Sequence, residues 1–209
     1  KSDSLNSSFF QEFSSALNSS KMNLSSVYRI GKVNAFTSIS INDYGLIKAG
    51  KNRAHGYDDW GDLPHMFENE RQKYTQNHSV YLTQRISKNV SDFSIANIDL
   101  YSSHFSKLNR IDKLNDLKDG MPKFEKWYYG PQNYFLSKLS LLNYKSYMLS
   151  DKFQITAAYQ NLNESRHKKK YTDNFQSNRY EDLDVIDSKM DFKKNFTKSI
   201  LNYGISNRV

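Results

Sequence analysis

Val33-Asn34-Ala35-Phe36-Thr37-Ser38-Ile39-Ser40-Ile41-Asn42 alternates with a period of two. Val33, Ala35, Thr37, Ile39 and Ile41 fall on one side, and Asn34, Phe36, Ser38, Ser40 and Asn42 on the other. A strand sends successive side chains to opposite faces, so this stretch predicts a β-strand with one mainly apolar face. The pattern recurs. Phe153, Ile155, Ala157 and Tyr159 stand opposite Gln154, Thr156, Ala158 and Gln160. Met22, Leu24, Tyr28 and Ile30 alternate with Asn23, Ser25 and Arg29, and Leu201, Tyr203 and Ile205 with Asn202, Gly204 and Ser206. Residues 93–103 and 132–144 are less regular, and Leu139-Ser140-Leu141-Leu142 breaks the rule.

Extended along the chain, the reading predicts strands over 6–17, 22–30, 33–42, 74–87, 92–104, 132–145, 152–164, 180–192 and 198–207. After residue 22 the expected connections alternate strictly. Short ones follow Ile30, Ile86, Tyr144 and Phe192, and long ones cover 43–73, 105–131 and 165–179. In an up-and-down sheet all long connections then leave from one rim, as in outer-membrane barrels. Two structureless loops of around 30 residues are uncommon in a compact soluble domain. A tilted membrane-spanning strand needs about 9–11 residues, which these segments supply.

The charges follow the same alternation. Arg29 opposes the Met22/Leu24/Ile30 side, and Arg85 opposes Val80, Leu82 and Ile86. Asp187, Lys189 and Asp191 oppose Ile186, Met190 and Phe192. A Lys or Arg facing lipid at mid-membrane costs roughly 2–4 kcal/mol, so these charges belong on a wet lumen face. Lys138 shares its parity with Leu136 and Leu142, and the alternation does not place it. The expected fold is an all-β antiparallel meander of about nine strands, a partial transmembrane β-barrel. An open edge cannot sit unpaired in lipid. The odd count and the absence of an apolar leader after Lys1 lead to the expectation that 1–209 is an interior slice of a longer barrel.

Composition agrees. Among 209 residues, 37% are hydrophobic yet 14% aromatic, with 15 Tyr and 13 Phe. A soluble enzyme builds its core mainly from aliphatic residues, whereas a barrel strand needs one apolar face and aromatic ends. The chain has no Cys, which excludes a disulfide scaffold and cysteine-based sites. The net charge of +8 collects in Arg166-His167-Lys168-Lys169-Lys170, Lys51-Asn52-Arg53 and Lys193-Lys194, which read as solvated loop and turn charge. No nucleic-acid partner is expected.

Four segments resemble TonB-dependent receptors of the Bacteroidetes type. They are Asn42-Asp43-Tyr44-Gly45-Leu46-Ile47-Lys48-Ala49-Gly50, Trp127-Tyr128-Tyr129-Gly130-Pro131-Gln132, 158–167 and 184–192, in the order of the first half of that family's barrel. The resemblance covers about residues 20–209. It implies an N-terminal plug and a 22-stranded barrel in the cell outer membrane, importing a scarce nutrient such as a ferric siderophore, haem, cobalamin or a glycan. It implies as partners outer-membrane lipid, the nutrient or metal chelate, and the TonB complex acting through a region this chain lacks. Neither plug nor TonB box is present here. A passive porin-like or structural barrel, or a soluble all-β binding module, are the alternatives.

Candidate ligand contacts are His55, Tyr57, Trp60 and His65 in one long loop, and Trp127, Tyr128 and Tyr129 where the chain re-enters a strand. Histidine can ligate haem iron, and aromatic rings can stack on a siderophore or sugar. The plainer reading is loop packing, or an interfacial girdle for the second group. His78, His104 and His167 read as isolated polar residues at strand ends, and Glu164 with Arg166 as a possible rim pair. No phosphate-binding loop, nucleophile elbow or zinc motif occurs. No enzymatic activity, cofactor or resident metal is expected.

Overall fold

The computed structural model describes residues 3–48 and 67–209. Its nine long strands are β1 (Ser4–Ser14), β2 (Ser19–Ile30), β3 (Val33–Tyr44), β6 (Asn77–Ser91), β7 (Ser94–Phe105), β12 (Gln132–Asn143), β13 (Lys152–Lys170), β14 (Ser177–Asn195) and β15 (Ile200–Arg208). Short elements fill two excursions: β4 (Phe67–Glu68) and β5 (Arg71–Gln72), then β8 (Leu108–Asn109), helix α1 (Ile111–Leu114), β9 (Leu117–Lys118), β10 (Met121–Pro122) and β11 (Phe124–Tyr129). Strands make up 73% of the described residues and helix 2%, so the fold is all-β.

The long strands pair with their sequence neighbours throughout, all antiparallel. This is an up-and-down meander. The connections 31–32, 92–93, 144–151 and 196–199 lie on one rim, here the lower. The chain leaves and re-enters the sheet at the upper rim between Ser14 and Ser19, Tyr44 and Asn77, Phe105 and Gln132, and Lys170 and Ser177. Between Ile30 and Val33 the loop has two residues, and Gly31 supplies the positive φ (56°) that such a hairpin requires.

One expected excursion is corrected. Residues 165–179 do not form a long loop. The β13–β14 ladder continues through Ser165↔Tyr180, His167↔Asn178 and Lys168↔Ser177, leaving only 171–176 as the connection. The polar, basic residues 165–170 read as loop because they lack an apolar face. Ladder hydrogen bonds do not need one, and strand preference depends on what packs alongside. Here β11 packs alongside, pairing with residues 166–170 just where β12 leaves off. Tyr128 and Tyr129 also pair with β8. The sheet therefore extends above the upper rim through β8, β11, β13 and β14.

Register decides the faces. Cross-strand partners share a side, so one row runs Phe9–Leu24–Ile39–Leu82 and another Ile98–Leu139–Ala157. We call this the apolar face. Its charges lie toward the rims: Asp43, Lys169, Asp182 and Asp184 above, Lys88 and Lys194 below. Polar groups in its central band are uncharged and meet one another, as in Ser7–Ser26 and Thr37–Gln84. The opposite, charged face carries Glu12, Lys21, Arg29, Arg85, Asp99, Lys138, Asp187, Lys189 and Asp191. Lys138, which alternation alone did not place, falls on this face with a carboxylate waiting. Its Nζ lies 2.9 Å from Asp99, which Arg85 also engages.

No second layer covers the sheet among the described residues. Phe9, Leu24, Leu139, Ile186 and Ile205 stay 52–71% exposed on the apolar face. Among the described residues the buried hydrophobic ones are few: Ala35, Leu114 and Phe124. The last two, with Ile111 and Trp127, form a small core inside 106–131. The accessible surface is 14459 Å², against about 10,000 Å² for a compact protein of this mass. Among the described residues β1 pairs only with β2 and β15 only with β14, so both sheet edges are open.

Candidate ligand-binding site

The upper extension of the charged face is where side chains of several elements converge. β11 and β12 run in the same direction along β13, joined at Gly130-Pro131. Gly130 has φ 88°, and a Cβ there would lie 3.0 Å from the Ser106 carbonyl oxygen. Both facts favour glycine at this bend. Above the bend, Trp127 and Tyr129 share the charged face with their partners Lys168 and Arg166, while Tyr128 turns to the apolar face beside His167. The expected Trp127-Tyr128-Tyr129 cluster is therefore divided between two sides.

Arg110, just before α1, binds this strand from the loop. Its Nη1 donates to Tyr129 Oη at 2.7 Å, and its Nε and Nη2 donate to Asp112 at 2.8 and 2.6 Å. The guanidinium also lies 5.9 Å from the Trp127 ring and 5.6 Å from the Tyr129 ring. Hydrogen bonding to Asp112 and then to Tyr129 holds Arg110 more firmly protonated than usual. The same pair keeps the Asp112 carboxyl below its ordinary range. Arg166 lies over the Tyr129 ring from β13, at 5.4 Å.

His167 is not isolated. It is buried, stacked on Tyr128 at 4.5 Å, and bonded through Nδ1 to Asn178 (2.7 Å) and through Nε2 to Ser165 (2.9 Å). His78 and His104 are not isolated either, with rings 5.6 Å apart on the apolar face near the upper rim. Glu164 and Arg166 do not pair. Glu164 accepts weakly from Gln132 at 3.5 Å and faces Glu181 across the ladder. His55, Tyr57, Trp60 and His65 lie outside the described residues.

A cavity of about 230 Å³ opens on the charged face between β11, β13 and β14. Trp127, Tyr129, Arg166, Lys168 and Arg179 line it. No family model, no curated protein and no solved structure matches the chain. The arrangement must therefore speak through its chemistry: three cations and two aromatic rings around a space of fragment size. Sequence alone pointed to Trp127 and Tyr129 but missed Arg166, Lys168 and Arg179 as a group. The basic run 166–170 is visible in the sequence, but Arg179 lies on another strand and only the ladder brings it opposite Arg166.

An aromatic row occupies the other rim on the apolar face. Phe153, Phe192 and Tyr203 follow one another across β13, β14 and β15, with centroid spacings of 6.2 and 5.1 Å, and Tyr147 adds a fourth ring 6.2 Å from Phe153. Lys145 and Lys152 lie over Tyr147 and Tyr144. Aromatic rings beside lysines at one height suit a boundary between hydrocarbon and water.

Proposed function

We propose that this chain is part of an outer-membrane β-barrel that captures and imports a scarce nutrient with energy supplied through the TonB complex. The supporting observation is the common parity of nine strands. Register puts charges from eight of them (β1, β2, β6, β7, β12, β13, β14 and β15) on one face and leaves the central band of the other uncharged, exposed and uncovered. Water on one side and lipid on the other satisfies both faces; water on both sides leaves the apolar one without a partner. Adding the barrel's further strands at β1 and β15 would satisfy the open edges.

In this reading the lower aromatic row sits at one lipid boundary. The upper connections and the β13–β14 ribbon stand in water, where they meet the nutrient first. The charged face lines the lumen along which it passes. A plug domain and the box read by TonB, supplied by the rest of the receptor, provide gating and coupling. The resemblance of four segments to TonB-dependent receptors supports active import over a passive pore.

The test starts from the full-length protein expressed in a Gram-negative host. The expected result is recovery in the outer-membrane fraction, extraction only with detergent, and faster gel migration before boiling than after. A monodisperse protein in plain buffer overturns the membrane reading. Nutrient uptake should then stop when the proton-motive force is collapsed; uptake that continues points to a passive barrel.

A further inference from the structure

We infer that the cavity above the upper rim is a binding site for an anion that carries a flat apolar ring, with its charge on oxygen atoms. This deepens the capture step and rests on the importer reading for its biological use, although binding itself can be measured without transport.

Arg166 and Arg179 occupy directly opposed positions on β13 and β14. Like charges facing each other across a ladder destabilise it unless something neutralises them. Arg179 has a partner in Glu181, at 2.8 Å. Among the described residues Arg166 forms no ion pair, only its contact with the Tyr129 ring, and Lys168, two residues further on the same face, has no carboxylate within ion-pair distance. The residues lining the cavity thus include three cations and no carboxylate, and Glu181 engages only one of the three. A two-pronged oxyanion spanning Arg166 and Arg179 removes the repulsion, and guanidinium groups bind carboxylate or phosphate through paired donors.

The walls add the second half of the specificity. Trp127 and Tyr129 contribute ring faces on the same side as the cations. Both are held before any ligand arrives, Trp127 by the Leu114–Phe124 core and a 4.6 Å contact with Phe124, and Tyr129 by Arg110. Preformed walls reduce the ordering cost of binding. Nearby acids do not cancel the field. Asp112 is committed to Arg110, and Glu125 to Lys169. Glu164, opposite Glu181 and one step below Arg166 on the same face, is not among the residues that line the cavity.

The experiment uses the detergent-solubilised full-length receptor and three probes followed by calorimetry. Isophthalate carries ring and charge, inorganic phosphate carries charge alone, and isophthalamide carries the ring alone. Isophthalate should bind most tightly and isophthalamide least. Arg166→Gln with Arg179→Gln should weaken isophthalate and phosphate at least about tenfold, the loss expected for two charge-assisted bonds. Trp127→Leu should weaken isophthalate about threefold or more while leaving phosphate unchanged. Unchanged thermal unfolding of each variant separates lost binding from lost folding, and Lys168→Gln offers a milder second variant. Equal binding of isophthalate and isophthalamide, or no effect of the double arginine variant, overturns the site. If the protein sits in the outer membrane but fails these titrations, the pocket is wrong and the location stands. If it binds isophthalate as described but is found outside the membrane, the importer reading fails alone.

Discussion

Lys138 and Asp99 face each other across β12 and β7, with Nζ 2.9 Å from the carboxylate, and Arg85 on β6 engages the other carboxylate oxygen. Three adjacent strands thus join through one acid held between two bases. The acid is the critical member. Asp99→Ala leaves Arg85 and Lys138 facing each other on a partly covered surface and should lower stability by about 1–2 kcal/mol, between exposed and buried ion pairs. Lys138→Met leaves Asp99 paired with Arg85 and should cost under about 1 kcal/mol. Urea unfolding in micelles distinguishes the two; equal losses would show that the triad does not act as a unit.

Adjacent positions on β2 should respond oppositely to the same substitution. Leu24 lies between Phe9 and Ile39 on the apolar face, and Ser25 between Ser8 and Ser38 on the charged one. If lipid covers the first, Leu24→Arg should destabilise the protein by roughly 2–4 kcal/mol, and Ser25→Arg by about 1 kcal/mol or less. Similar, small effects at both sites would mean that water wets both faces.

Asp151 closes the lower rim between β12 and β13. It accepts from Lys194 Nζ at 2.8 Å, from Ser146 Oγ at 2.6 Å and from the Asn195 backbone N–H at 2.8 Å. These bonds, led by the one from Lys194, pull its carboxyl well below the ordinary value of 3.8. A depressed carboxyl stabilises the fold above its unfolded pKa and loses that contribution as pH falls through the folded one. Thermal unfolding between pH 7 and pH 2 should therefore fall more steeply at the acid end in the native protein than in Asp151→Asn. Parallel curves would remove Asp151 from the rim's acid sensitivity.

The ribbon above the upper rim depends on His167, which bonds Ser165 and Asn178 and stacks on Tyr128. His167→Ala should speed amide exchange across 164–181 while leaving 152–160 protected, because only the former stretch loses its cross-ladder tie. Uniform loss of protection along β13 would instead make His167 a determinant of the whole sheet.

Some of this was legible in contiguous residues. Alternation in 33–42 and 152–160 announced strands with one apolar face, and Arg29, Arg85 and Asp187 already stood opposite it. Lys138 was not legible, because Leu136 and Leu142 flank it with the same parity and only the partner across the ladder explains it. Residues 165–170 were misread for the same reason: nothing near them in sequence reveals that β11 covers them. Trp127 and Tyr129 drew notice as aromatics, but the cations that complete the cavity come from two other strands.

Neighbouring residues alone fixed that this chain forms strands and, where the alternation is regular, which side carries charge, because a period of two is written in contiguous positions. Tertiary structure decided which residue meets which. Ladder register set Asp99 between Arg85 and Lys138, carried β13 and β14 past the rim, and brought Arg166 opposite Arg179 beside Trp127. Those choices depend on hydrogen bonds between distant segments, and one residue of slippage would reverse every face.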